Sequence, residues 1–323
     1  MGWKGAVRSL ASAARAAERD AQRRHAQALK SQIISNAGAA VDEWERYISE
    51  LITLHTNLAD SIDWKSTATL PSPAHPTRDS AHENKAKADL DNFKPGGLFA
   101  KLLGGDAKRK ARLQQALMDA PAKDQATFDN AQAKYEVDLR DWEQDTAMAR
   151  RLLAGDEQAI AEVIREMQTL SKEDLIGSAV QFTIENGTLH AVPSVHSDEI
   201  IPDYRRKQLA SGKLSESKMP VSQFNELYQD YVASVALKVA GDMFQMLPLD
   251  EVYVTCQTSM LNTATGRKAP MAILSVHFVR STFEKLNLRL IDPSDSMKNF
   301  NHKMAFKKTS GFQPIDPLTE LPE

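Results

Sequence analysis

Cysteine is almost missing from this chain: Cys256 stands alone among 323 residues. No internal disulfide can form, and no cysteine-rich zinc site can be built. Long apolar runs are missing too. No stretch reaches the roughly 18 apolar residues that a membrane-crossing helix needs, so none is expected. Lys4 and Arg8 are not followed by an apolar run, which argues against a secretory signal, and Ala6 stands where a myristoylation pattern wants Ser or Thr. Neither sign of charge dominates. Lys and Arg number 40 against 43 Asp and Glu, a net charge of −3, so any pull on nucleic acid has to come from a local patch. The P-loop, Gly-x-Ser-x-Gly, dinucleotide and His-Glu-x-x-His patterns are absent, so the commonest nucleotide, hydrolase and metalloprotease signatures give no lead. What remains is 42% hydrophobic and 26% charged, the composition of an ordinary folded chain, expected in the cytoplasm.

Up to about residue 160 no segment reads as a strand, and beyond it several do. The expected fold class is α+β: an N-terminal long-helix region forming a coiled-coil hairpin, then a compact ββα-ββα domain. Trp44, Ile48, Leu51, His55, Leu58 and Ile62 recur at spacings of four and three, so residues 1–64 read as a long helix with a phase defect near Asn36-Ala37-Gly38. His55 in that seam reads as a polar residue setting register. Pro71, Pro73 and Pro76 remove backbone donors, so residues 65–105 read as a Pro/Gly-containing linker, partly mobile over 65–95. Residues 106–168 read as the second hairpin helix, kinked or divided at Pro121 and ended by Gly155, plus a short helix capped by Asp156. A thin helical rod cannot bury the 44–62 seam, so self-association or a protein partner is expected there.

Residues 169–323 read as the α+β domain. Val180, Phe182 and Ile184 alternate, Asn186-Gly187 suits a two-residue turn, and Ile184 should face Leu189 with Phe182 facing Ala191. Residues 198–219 are polar and basic and read as a mobile loop. Pro220 opens a helix to Leu247 that is apolar nearly all round. Strands are expected over 251–258 and 270–279, with Cys256 in the core beside Val252 and Val254. Ser281-x-x-Glu284 reads as a capping box, and Asp292-Pro293 as the start of a last helix with Met297, Phe300 and Met304 on one stripe.

Three segments carry a resemblance. Met1-Gly2-Trp3-x-Gly5, the stretch Phe224-Asn-Glu-Leu-Tyr-Gln-Asp-Tyr-Val232, and the run Asp292-Pro-Ser-Asp-x-Met-x-Asn-Phe-x-His-x-Met-x-Phe-x-Lys-Thr-x-Gly-Phe312 resemble those of a widespread set of bacterial proteins, over most of the chain. The resemblance implies a bacterial, cytoplasmic origin and carries no activity.

Each candidate site has a bland competitor. Asp292, Asp295 and His302 share a spacing that suits an acid–base or metal group, but also a helix N-cap and favourable dipole contacts. His190, His196, Asp198 and Glu199 are ligand types for zinc or manganese, but also what a solvated strand end carries. A restriction-type nuclease wants an acid on one strand and Asp/Glu-x-Lys on its neighbour; Glu251 stands without such a pair, and Glu216-Ser217-Lys218 falls in the expected loop. Arg15, Arg19, Arg23 and Arg24 on the first helix, and Lys108, Arg109 and Lys110 on the second, suit phosphate or an acidic protein surface, or are solvated faces. No cofactor is called for, and Phe99, Leu102 and Leu103 are too few for contact with a membrane surface. The expected function is a non-enzymatic interaction or assembly component of a bacterial multi-protein system such as phage defence or stress response. The alternative is a nucleic-acid-binding or metal-dependent nuclease component.

Overall fold

Pro220 starts the element on which the larger part of the fold is built. Its fixed φ suits the position just before a helix, and α6 follows from Val221 to Met246. Fourteen of its residues are buried, among them Tyr231, Val232, Val235, Leu237 and Ala240. A helix with so many apolar positions has to be surrounded, and this one is. The computed structural model describes residues 2, 37–95, 105–170, 177, 180–185, 187–210, 213–262 and 265–319. The chain falls into two units: Met1–Lys65 with Ala149–Glu323, and Ser66–Met148.

In the first unit a six-stranded mixed sheet has the order β1-β2-β5-β6-β7-β8. Its strands are β1 (Val180–Glu185), β2 (Thr188–Pro193), β5 (Glu251–Asn262), β6 (Arg267–Val279), β7 (Asn301–Lys307) and β8 (Gly311–Gln313). Strands β2 and β5 are parallel, and the other pairs are antiparallel. Helix α6 lies against β2, β5, β6 and β8. Leu189, Ala191, Val252, Val254, Cys256, Leu274, Val276 and Phe278 are buried on these strands at alternate positions, as a pleated strand with one covered face requires. A separate two-stranded ribbon, β3 (Tyr204–Gln208) with β4 (Leu214–Lys218), precedes α6. Helix α1 (Ala37–Ile52) and the short turn Leu54–Thr56 pack on α6, and α5 (Glu157–Leu170) meets β1. The second unit holds α3 (Ala81–Asp91) and most of α4 (Gly105–Leu153), while α2 (Trp64–Ala68) begins at the boundary.

The α+β class is what the pattern predicts, and the β1–β2 register pairs Ile184 with Leu189 and Phe182 with Ala191 as expected. Several finer readings change. The 44–62 seam is not one helix: α1 ends at Ile52, and Leu51 and His55 are buried inside the first unit, 0% and 1% exposed, so they present no seam to a partner. The N-terminal arm of the expected coiled-coil hairpin, with Arg15, Arg19, Arg23 and Arg24, lies outside the described residues. Helix α4 is long, 49 residues, and runs through Pro121 without a break. Residues 65–95, expected as a partly mobile linker, hold helices and are tied to α4: the Trp142 indole N–H donates to the Leu70 carbonyl at 2.8 Å, and His75 lies against Tyr135 at 4.9 Å. Residues 198–219 are not a loop but contain the β3–β4 ribbon. The stripe Met297, Phe300, Met304 does not lie on a helix, because α8 (Pro293–Ser296) and a three-residue turn end before β7 begins. Ser281 caps nothing; it sits inside α7 (Arg280–Phe283).

Candidate functional site

One cavity of about 400 Å³ opens in the first unit, between α1, the segment after β2, the ribbon and the start of α6. Helix α1 places Glu43, Trp44 and Tyr47 on one side, since positions three and four apart share a helix face. Two hydrogen bonds fix that face. The Trp44 indole N–H donates to the Tyr204 carbonyl at 3.1 Å, and the Tyr47 hydroxyl donates to the Ile200 carbonyl at 2.6 Å. Burial, and after it the neighbouring Tyr204, push the Tyr47 phenol well above its ordinary range, so it stays a neutral donor.

The opposite wall is the turn Asp198–Ile200 and the chain running into β3. Its anchors come from α6, where the Tyr228 hydroxyl donates to the His196 carbonyl at 2.8 Å and the His196 N–H donates to the Tyr231 hydroxyl at 3.3 Å. At the base of the ribbon the Met219 N–H donates to the Asp203 carbonyl at 2.7 Å. Tyr204 and Phe224 complete the aromatic lining.

The charge on this lining is one-sided. Glu43, Asp198, Glu199 and Asp203 supply four carboxylates, and among the described residues none has an ion-pair partner. Among the described residues Arg206 is the one cation on the lining. It is already spent: its guanidinium lies 3.0 Å from Glu216 and 5.0 Å from the centre of the Tyr204 ring, and its side chain is 8% exposed. A cavity with aromatic walls and surplus carboxylates favours a cation carried on an apolar stem.

Catalytic readings find less. Ser234 on α6 pairs with His55, Oγ to Nδ1 at 2.8 Å, and the two residues are 0% and 1% exposed, out of reach of a substrate. Burial lowers the His55 pKa, opposed by the Leu288 backbone, and among the described residues Nε2 meets no hydrogen-bond partner. Asp292 is the N-cap of α8, accepting from the Asp295 N–H at 2.9 Å, while Asp295 pairs with Lys298 at 2.6 Å and His302 sits on β7 with Nδ1 near the Phe300 carbonyl. Behind them burial, opposed by Ser294 and helped by Asp292, Glu226 and Asp295, pushes Asp230 up to about 6.

His190, His196 and Asp198 are not brought together. His190 stacks on Tyr253 at 4.9 Å on the outer sheet face, His196 is exposed, and Asp198 lines the cavity. Among the described residues no three His, Cys, Asp or Glu side chains are grouped to hold a metal ion. Glu251 pairs with His277 at 2.8 Å, and Glu216 with Arg206, so neither joins a nuclease-type acid pair. The His190, Tyr253 and His277 rings stack on one another, at 4.9 and 4.3 Å, so their inner faces are spent on each other rather than offered to a base. Lys108, Arg109 and Lys110 are exposed on α4 in the second unit, with Arg109 5.9 Å over the Phe93 ring.

Of the cavity residues, sequence reasoning singled out Asp198 and Glu199 for a different role, Trp44 for a helix seam and Phe224 for the buried helix. Glu43, Tyr47, Asp203 and Tyr204 were missed, since Trp44 and Tyr204 are 160 residues apart and no local spacing joins them. No family model, no curated protein and no solved structure matches this chain.

Proposed function

We propose that this protein is a non-enzymatic recognition component that holds a protein partner by taking a lysine or arginine side chain of that partner into the Trp44 cavity. The observation that carries the reading is the pairing of four aromatic rings with four carboxylates around one opening, where the single lining cation is already paired. An alkyl stem fits against Trp44, Tyr47, Tyr204 and Phe224, and the charged head meets Glu43, Asp198, Glu199 or Asp203. Each partly exposed charge contact contributes about 0.2–1 kcal/mol. A cation over an aromatic face adds about 0.5–2 kcal/mol. One side chain therefore binds weakly by itself and serves as an anchor within a larger contact.

The test is a titration of the full chain with Nα-acetyl-lysine methylamide, its arginine counterpart and the uncharged norleucine counterpart, read on the Trp44 indole N–H by nuclear magnetic resonance. The cationic probes should shift that signal and saturate, with norleucine at least about tenfold weaker, a gap of about 1.4 kcal/mol. Glu43→Gln with Asp203→Asn should remove most of the preference for charge while leaving the indole hydrogen bond in place. Equal binding of norleucine, or no shift with any probe, overturns the proposal.

A further inference from the structure

The β3–β4 ribbon sorts its charges by face. In a two-stranded ribbon alternate residues point to opposite sides. Tyr204 and Arg206 line the cavity, so that side also carries their partners Lys218 and Glu216. The one acid of the ribbon, Glu216, is thus on the cavity side and neutralises Arg206. The other side carries Arg205 opposite Ser217 and Lys207 opposite Ser215, and it continues to Leu209, whose N–H donates to the Lys213 carbonyl at 2.9 Å. Arg205, Lys207 and Lys213 are exposed, and among the described residues no carboxylate pairs with them. Arg205 donates instead to the Ser217 hydroxyl at 3.2 Å.

We infer that this outer face of the ribbon is a contact surface for the phosphate backbone of nucleic acid. A bland account exists: charge on an exposed ribbon keeps its edges from pairing with other chains. That account does not explain the sorting. Opposite charges across a strand pair stabilise by roughly 0.2–1 kcal/mol. The ribbon uses that device for Arg206 on its cavity side and forgoes it on its outer side, where serine faces Arg205 and Lys207 and Leu209 faces Lys213. Like charges two residues apart, roughly 6.6 Å along a strand, are left to repel until an anion meets them. Guanidinium, ammonium and hydroxyl groups are the donors that phosphate takes. A two-stranded ribbon also fits the duplex major groove, about 12 Å wide. An anionic membrane fits less well, because Leu209, 42% exposed, is the one large apolar side chain on this face. The inference stands apart from the cavity reading, whose residues face the other way.

The experiment measures binding of the full chain to a fluorescent mixed-sequence DNA duplex and to its RNA counterpart by anisotropy, from about 50 to 200 mM salt. The native chain should bind at least one of them with affinity that falls steeply with salt. Changing Arg205, Lys207 and Lys213 together to Thr should weaken binding at low salt at least tenfold and flatten the log–log salt slope by roughly 2 to 3, since each lost phosphate contact removes about 0.9. Arg205→Lys with Lys207→Arg keeps the charge and should keep the slope, which separates loss of contact from loss of fold. The idea fails if the native chain binds neither nucleic acid at 50 mM salt. It fails equally if the triple Thr variant keeps the native slope while Arg15→Ala, Arg19→Ala and Arg23→Ala together abolish it, or if vesicles containing phosphatidylserine are bound and nucleic acid is not.

Discussion

Removing one hydroxyl should loosen the whole N-terminal attachment of the first unit. Between α1 and α2 the chain runs along α6 and is tied to it at several points. The Ala59 N–H donates to Asp242 at 2.8 Å, the Ile62 N–H to the Gln245 carbonyl at 3.0 Å, and the Trp64 indole to the Met246 carbonyl at 2.8 Å. The most buried tie is His55 with Ser234. The His55 backbone N–H donates to Ser234 Oγ at 3.2 Å, and the same Oγ lies 2.8 Å from His55 Nδ1. A hydroxyl oxygen has two acceptor sites and one proton, so Ser234 Oγ takes the backbone N–H and bonds Nδ1 as donor or acceptor according to the ring tautomer. Ser234→Ala leaves a buried N–H and a buried ring nitrogen without partners, at about 1–3 kcal/mol each, offset by the better helix propensity of Ala, about 0.5 kcal/mol. The net expectation is a loss of roughly 1.5–5.5 kcal/mol.

Hydrogen exchange is the assay that isolates this loss, because it reads local opening without assuming that both units unfold together. Amides of residues 54–63 should lose about 10- to 10,000-fold in protection, as about 1.4 kcal/mol is tenfold. The acid side adds a second reading. Burial lowers the folded pKa of His55 below its ordinary value near 6.5, so below that pH the open state binds a proton that the closed state does not. Its contribution is therefore complete above about 6.5 and is lost as pH falls, at no more than about 1.4 kcal/mol per pH unit. His55→Gln should remove that part of the slope. Protection within threefold of the native chain in Ser234→Ala, or an acid slope unchanged in His55→Gln, would refute the reasoning.

In the second unit Asp124 on α4 accepts from the N–H groups of His82 and Glu83, at 2.9 and 3.0 Å, and so caps α3 from outside. Asp124→Ala should speed exchange of the first α3 amides and leave α6 unchanged; unchanged α3 exchange would show that the cap contributes nothing. Burial alone would raise the Asp124 pKa, but the two backbone donors, with His82 and Arg78 nearby, outweigh it and lower it. Its contribution should thus be present above the ordinary carboxylate range and fade as pH falls through the lowered value, read as α3 exchange corrected for intrinsic rates. Cys256 is 0% exposed, and burial pushes its thiol far up, so the folded chain should not react with a disulfide reagent, while one thiol should appear in guanidinium. One thiol titrating within minutes in the folded chain would contradict its place in the core.

Elements that bury one side or all sides were legible. The β1–β2 hairpin shows alternation and a two-residue turn, α6 is apolar all round, and Asp156 and Asp292 announce helix starts by residue type. Misreadings arose where two periods fit the same residues. Phe300, His302, Met304 and Phe306 alternate as a strand does, while Met297, Phe300 and Met304 also match a helix stripe, and register with Leu274 and Val276 decides for β7. The 44–62 spacing persists past the end of α1 because the non-helical chain beyond it also buries side chains on α6; an added Cβ at Gly241 would come within 2.5 Å of Leu58.

The ribbon was illegible for a different reason, and that reason bears on function. A strand with a core on one side has to write hydrophobic alternation into its sequence. Along Tyr204–Gln208 and Leu214–Lys218 no side chain is fully buried, so no such constraint operates and propensity alone argues against a strand. The alternation is present nevertheless, in charge rather than in hydropathy: Arg206 and Lys218 with Glu216 on one face, Arg205 and Lys207 with Ser217 and Ser215 on the other. Burial explains the pairing on the cavity side, where the Arg206 side chain is shut in, but not the lack of it on the open outer side. The two proposed contacts, a cation in the cavity and phosphate on the outer face, would ask for that order. The cavity and the outer face are thus two consequences of one strand pair, and neither is visible until the pairing register is known.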